Sequence, residues 1–112
     1  MATFETLFPL VKTPGIYLVE DLHTAYKTYP GGIRKFGSFV DWSRRLIDRM
    51  HAWHVRPDRL HWPFGPPATV DEFTRSAYSM TYYDSVLVIE KNVVRRPRTR
   101  VSGRFVIGKH VK

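Results

Sequence analysis

Cysteine is absent from this 112-residue sequence, which excludes disulfides, thiolate metal sites and cysteine nucleophiles together. The sequence also has no apolar run near the roughly 18 residues that a membrane-spanning helix needs. Its first residues lack the charged-then-apolar order of a signal peptide. We therefore expect a cytoplasmic protein with no membrane span, and the length suits one domain.

Acidic residues are missing from the C-terminal end of the chain. Residues 91–112 hold eight basic residues and no acidic one, whereas residues 1–90 hold ten of each sign and are neutral. Apolar residues make up 43% of the sequence, which is enough to form a packed core. We predict a folded region over residues 1–92 and a basic, flexible tail over residues 93–112.

The first part of the chain predicts a short helix and a buried strand. Apolar residues recur at helical spacing from Thr3 to Val11, with Thr3 as a candidate N-cap and Pro9 limiting the helix length. Gly15–Val19 is short, β-branched and aromatic, which is typical of a strand. Residues 22–37, rich in glycine and basic side chains, are predicted to form a loop.

The second part predicts a helix followed by a hairpin. Ser38 is the expected N-cap, with Asp41 in the capping-box position, and an apolar stripe runs over Phe39–Trp53. Arg49, with the other charged residues off that stripe, is expected to be solvated. Two strands are predicted around a turn at Asp84-Ser85, and the apolar run of the second predicts cover on both faces.

Two adjacent carboxylates, Glu20 and Asp21, end the first strand, and His23, Thr24 and Tyr26 follow within five residues. The pair alone has two interpretations: a strand-end turn in which Asp21 caps backbone amides, or oxygen ligands for a hard cation. His23 is a candidate general base, because histidine is the commonest residue in that role, but its loop position favours a solvated histidine. A zinc site is a further alternative, with His51, His54 and His61 as candidate ligands, although no carboxylate or thiolate completes the ligand set.

Three segments, "LFPLVKTPGIYLVEDLHTAY", "FVDWSRRLIDRMHAW" and "YSMTYYDSVLVIEK", together carry a family resemblance. They resemble the C-terminal half of a class I S-adenosylmethionine-dependent methyltransferase, and within that fold the metal-dependent sugar O-methyltransferases of macrolide pathways. The resemblance implies an α/β fold with a partial Rossmann-like sheet and flanking helices. Gly15–Val19 would be the fifth strand, Phe39–Trp53 the helix after it, and Tyr78–Tyr83 with Val86–Asn92 the terminal antiparallel hairpin beside that strand.

The resemblance also implies a site. Glu20 and Asp21 match the family's magnesium ligands, and His23, Thr24 and Tyr26 would line the acceptor side. The family's glycine-rich loop for S-adenosylmethionine, and its upstream segment with a further aspartate and a histidine base, have no counterpart here. We therefore expect no catalytic and no cofactor-binding residue in this chain, and an incomplete O-methyltransferase that does not turn over alone. A missing N-terminal half, or a second copy, would pair with the exposed edge of the first strand.

A different class of function rests on the basic tail. Clustered arginines without acids are typical of proteins that bind nucleic acid or acidic surfaces. The alternative hypothesis is thus a small non-enzymatic module that binds such partners through residues 93–112. A solvated tail without function would give the same composition.

Overall fold

The computed structural model describes residues 1–27, 37–55 and 69–103. Short 3-10 turns follow the first and third helices, at Phe8–Leu10 and Ala52–His54. None of the helices in the described ranges is long and apolar enough to cross a membrane. The helices and strands, in chain order, are α1 (Ala2–Leu7), β1 (Gly15–Val19), α2 (Thr24–Lys27), α3 (Phe39–Met50), α4 (Glu72–Ser76), β2 (Ala77–Tyr83) and β3 (Val86–Lys91).

The three strands form one antiparallel sheet in the order β1-β3-β2. β3 is central: Ile89 pairs with Tyr17 of β1 on one side and with Met80 of β2 on the other. The hairpin turns at Asp84-Ser85, where Ser85 adopts a positive φ of 69°. The expected arrangement, with the last strand of a terminal hairpin beside the strand Gly15–Val19, is confirmed. The predicted α/β fold class is confirmed with it.

The hydrophobic core lies on one face of this sheet. Side chains alternate along a strand, so Leu87 and Ile89 of β3 face the core and are fully buried. Phe4 of α1 is at the centre of an aromatic cluster that joins the sheet to the helices. Its ring centroid lies within 6.5 Å of the rings of Phe8, Tyr17, Phe39, Trp42 and Phe73.

The opposite face of the sheet is open to solvent within the described part of the chain. Ile16 and Leu18 of β1 are 61% and 51% exposed, and Val86 and Val88 of β3 are only half-buried. The expected cover of the apolar run of β3 is therefore confirmed on the core face, and on the other face Val86 and Val88 are only partly covered. Leu87 and Ile89 of β3 are buried against the helices. Val86 and Val88 lie on the opposite, apolar face, which no helix of the described ranges covers.

Three local predictions also differ from the structure. α1 begins at Ala2 with Met1 as N-cap, so Thr3 does not cap it. The segment predicted as a loop over 22–37 contains the one-turn helix α2, and its residues 28–36 lie outside the described ranges. α4 was not predicted, although it begins with a capping box in which Asp71 and Thr74 bond each other's backbone N–H.

α3 begins as predicted and carries one residue whose role was misjudged. The Ser38 hydroxyl accepts a 3.2 Å hydrogen bond from the backbone N–H of Asp41, which confirms the N-cap. Arg49 was expected to be solvated, but it donates to Asp71 at 2.9 Å and to Glu5 at 3.0 Å. Its guanidinium also lies 5.2 Å from the ring centroid of Phe73. Arg49 therefore links α1, α3 and α4.

The segment between α1 and β1 is held by a lysine side chain and by a close approach of the backbone at Gly15. The buried Lys91 of β3 donates from Nζ to the carbonyls of Phe8 and Pro9, at 2.9 and 3.0 Å, and so fixes the 3-10 turn after α1. A Cβ on Gly15 would collide with the carbonyl oxygen of Lys12. Only glycine fits at this point, where the chain enters β1.

Candidate functional site

Glu20 and Asp21 lie directly after β1, and both side chains are exposed. Asp21 has a φ of 61°, a left-handed conformation that aspartate adopts more readily than most residues. The bend sends the next residue, Leu22, into the core, and its N–H donates a 3.0 Å hydrogen bond to the carbonyl of Ser85. The carboxylate pair therefore stands on a bend that is fixed to the hairpin turn.

The bend is closed through the backbone of Asp21 and not through its carboxylate. The Asp21 carbonyl accepts hydrogen bonds from the backbone N–H and the hydroxyl of Thr24, at 3.1 and 2.8 Å, and these bonds start α2. The carboxylates of Glu20 and Asp21 make no hydrogen bond or ion pair to any residue in the ranges 1–27, 37–55 and 69–103. The interpretation in which Asp21 caps local amides is therefore not the arrangement seen.

The pair opens onto a cleft of about 290 Å³ between the end of β1 and the start of α3, which we call the carboxylate cleft. Among the residues in the described ranges, none of those that line it is basic, and Glu20 and Asp21 are its only charged side chains there. Thr24 and Ser38 add hydroxyl groups. The lining residues are Val19, Glu20, Asp21, Leu22, Thr24, Ala25, Ser38, Phe39 and Val40.

The other two predicted acceptor residues, His23 and Tyr26, line a separate groove of about 320 Å³, which we call the tyrosine groove. Nδ1 of His23 is buried and has no hydrogen-bond partner in the described structure. The structure thus places Thr24 with the carboxylate pair, and His23 and Tyr26 on the neighbouring surface. The tyrosine groove is lined by Leu22, His23, Tyr26, Val40, Tyr82, Tyr83, Asp84 and Ser85.

Sequence reasoning missed the contact that fixes one wall of the tyrosine groove. The Tyr82 hydroxyl lies 2.8 Å from the Ser43 hydroxyl of α3, and Ser43 also donates to the carbonyl of Val40. From the sequence, Tyr82 was placed only within the hairpin strand Tyr78–Tyr83. A serine that is fully buried on the apolar side of α3 was the available signal that a polar partner had to lie opposite it.

The candidate metal ligands in the described ranges are the pair Glu20 and Asp21 and the pair His51 and His54. No group of three His, Cys, Asp or Glu side chains that could hold a metal ion forms among the residues the structure describes. The His51 and His54 rings lie 6.4 Å apart, and Nδ1 of His51 is 2.8 Å from the carbonyl of Ile47. His61, the third residue of the zinc alternative, lies outside the described residues.

No protein-family model and no curated protein matches the chain. Solved structures do match it. The MycE methyltransferase from the mycinamycin biosynthetic pathway, in complex with Mg and SAH, aligns with a TM-score of 0.61 and 26% identity in each of two crystal forms. The same methyltransferase with Mg, SAH and mycinamycin VI aligns with a TM-score of 0.59 and 24% identity.

These matches cover 81% of this chain but only 22–23% of the matched chains. The chain therefore spans less than a quarter of the length of those structures. The resemblance to part of a methyltransferase fold, which was expected from the sequence, is confirmed.

Proposed function

We propose that this chain supplies the metal- and acceptor-binding side of an O-methyltransferase, corresponding to the C-terminal part of the class I S-adenosylmethionine-dependent fold; its structural match to part of a methyltransferase supports this. The acceptor would be a sugar or natural-product hydroxyl. The observation that carries the proposal is the position of Glu20 and Asp21. Their carboxylates follow β1 and are exposed in the carboxylate cleft, and within the described ranges they face no basic lining residue and have no partner.

The donor set fits a magnesium ion. Mg²⁺ is bound by hard oxygen ligands, and it commonly uses one or two carboxylates while it keeps several of its waters. Glu20 and Asp21 would hold it, and the bound ion would supply Lewis-acid polarisation of the acceptor hydroxyls. The MycE structures that the chain resembles contain Mg, which supports the same assignment here.

The remaining site residues have positioning roles in this proposal. The Thr24 hydroxyl bonds the Asp21 carbonyl and so fixes the bend on which both carboxylates stand. His23 and Tyr26, on the adjoining tyrosine groove, would contact the part of the acceptor that lies beyond the reacting hydroxyl. Aromatic side chains suit that role, because they bury a large apolar area and lose few rotamers on binding.

The methyl donor requires residues that these 112 positions do not include. The sequence has no glycine-rich loop that follows a first strand. We therefore propose that the chain by itself neither binds S-adenosylmethionine in the manner of the family nor transfers a methyl group. The donor-binding part would be contributed by other residues, on the same or another polypeptide.

Magnesium binding by the 112-residue chain tests the proposal. Isothermal titration should detect weak, saturable binding with a Kd on the order of 10⁻³ M, because two carboxylates form a partial ligand set. The double variant Glu20→Gln/Asp21→Asn should abolish this binding, since an amide carries no charge to hold the ion.

The matched control is Asp48→Asn/Glu72→Gln, which removes two exposed acids from α3 and α4. This control has the same net charge as the test variant and should bind magnesium as the parent chain does. Equal loss in both double variants would mean nonspecific attraction by negative charge, and retention in Glu20→Gln/Asp21→Asn would place the ion elsewhere. Either result contradicts the proposal.

A further inference from the structure

The charged surface that the methyltransferase site does not use lies after β3. Residues 92–103 form neither helix nor strand, and they contain four arginines with exposed side chains and no acidic residue. None of the four forms an ion pair with a residue in the described ranges. We call these residues the arginine segment; its arginines are Arg95, Arg96, Arg98 and Arg100.

The arginine segment is attached to the fold at its first residues. The N–H of Asn92 donates to the carbonyl of Ser76 at 2.8 Å, and the N–H of Val94 donates to the carbonyl of Arg75 at 2.9 Å. These bonds hold the start of the segment against the end of α4. Arg75 is exposed there and adds a fifth guanidinium, while Glu72, one turn earlier on α4, is the exposed acid nearest to it along the chain.

The residue pattern favours an extended chain with arginines at regular intervals. Pro97 has a fixed φ and biases Arg96 toward the extended region. Arg96, Arg98 and Arg100 alternate, and two residues of extended chain rise about 6–7 Å. That distance is close to the rise of two phosphates of one strand, which is about 3.4 Å each along the axis of a duplex. Guanidinium groups also match phosphate oxygens with two parallel hydrogen bonds.

We propose that the arginine segment binds the phosphate backbone of double-stranded nucleic acid, without sequence preference. Two observations favour a duplex over other anionic partners. The segment has no aromatic residue on which single-stranded bases could stack, and the rest of the tail contains one, Phe105. Its apolar residues are valines, and it lacks the aromatic and leucine side chains that insert into membrane interfaces. Binding of this kind depends on phosphate charge and therefore on salt.

The test is fluorescence anisotropy of a labelled DNA duplex with the full 112-residue chain. Four phosphate contacts predict that log K falls against log salt with a slope of about −4, which is a loss on the order of 10² between roughly 50 and 200 mM salt. The variant Arg98→Gln/Arg100→Gln should reduce the slope by about 2, because each phosphate contact contributes about 1.

A matched control separates the segment from overall charge. Arg44→Gln/Arg45→Gln removes two exposed arginines of α3, leaves the same net charge, and should keep both the affinity and the slope. The circular dichroism spectra of both variants should equal that of the parent chain, since neither pair contacts the core. Equal weakening in the two variants, absence of duplex binding at low salt, or binding to phosphatidylserine vesicles in place of the duplex would overturn the proposal.

Discussion

Replacing Phe4 with alanine should unfold this protein or come close to it. Phe4 is 2% exposed, and its ring contacts aromatic residues from β1, α3 and α4 as well as Phe8. A buried Phe→Ala change costs about 3–5 kcal/mol, from lost transfer energy and the cavity that remains. Whole domains are stable by only about 5–15 kcal/mol. Urea unfolding followed by circular dichroism should show this loss in the free energy of unfolding.

Leu10→Ala is the control for Phe4→Ala. Leu10 lies in the same N-terminal segment and is 74% exposed, so its truncation should change the free energy of unfolding by less than about 0.5 kcal/mol. A Phe4→Ala variant that unfolds at the same urea concentration as the parent chain would show that the aromatic cluster does not hold α1 on the sheet. The account of the core would then be wrong.

Self-association through β1 is the second large effect that we expect. Among the described strands β1 lies at an edge of the sheet, and its exposed residues Ile16 and Leu18 begin the open apolar face. Unpaired edges with apolar faces pair readily with other chains. Burial of an aliphatic side chain is worth about 1.5–3 kcal/mol, so Ile16→Lys/Leu18→Lys should weaken self-association by about 100-fold or more. Sedimentation velocity over a range of protein concentrations measures this change.

The control replaces two exposed aliphatic residues away from the sheet, in the variant Leu10→Lys/Ile47→Lys. It gains the same charge and should associate as the parent chain does. A parent chain that sediments as a monomer at all concentrations would contradict the expectation. An N-terminal methyltransferase half would compete for the same edge, so its addition should dissociate the self-associated form.

The elements predicted correctly from the sequence are those whose secondary structure is specified by neighbouring residues and is not changed by contacts with the rest of the fold. Gly15–Val19, the Ser38 N-cap and the turn at Asp84-Ser85 are each specified by nearby residues, and each lies where expected. The antiparallel placement of β3 beside β1 followed from the family resemblance, because no periodicity specifies which strands pair. The bulge of β2 between Ala77 and Ser79 was not predicted.

The elements that sequence reasoning missed depend on contacts between distant residues. α2 and α4 are too short to show helical periodicity, and α4 is supported by Arg49, whose carbonyl accepts from the Thr74 hydroxyl at 2.7 Å. The site was predicted as five residues of one loop. In a tight turn, successive side chains point in different directions, so these five residues line two surfaces. Thr24 lines the carboxylate cleft with Glu20 and Asp21, while His23 and Tyr26 line the tyrosine groove.

Paramagnetic broadening by Mn²⁺ is the measurement that tests the central claim most directly. Mn²⁺ takes the same oxygen ligands as Mg²⁺, and it broadens the NMR signals of nearby amides. We predict that the signals of Glu20, Asp21 and Thr24, and of Ser38 across the carboxylate cleft, disappear first during a titration, and that excess Mg²⁺ restores them. Broadening that begins elsewhere, or that persists unchanged in Glu20→Gln/Asp21→Asn, would contradict a metal site at the end of β1.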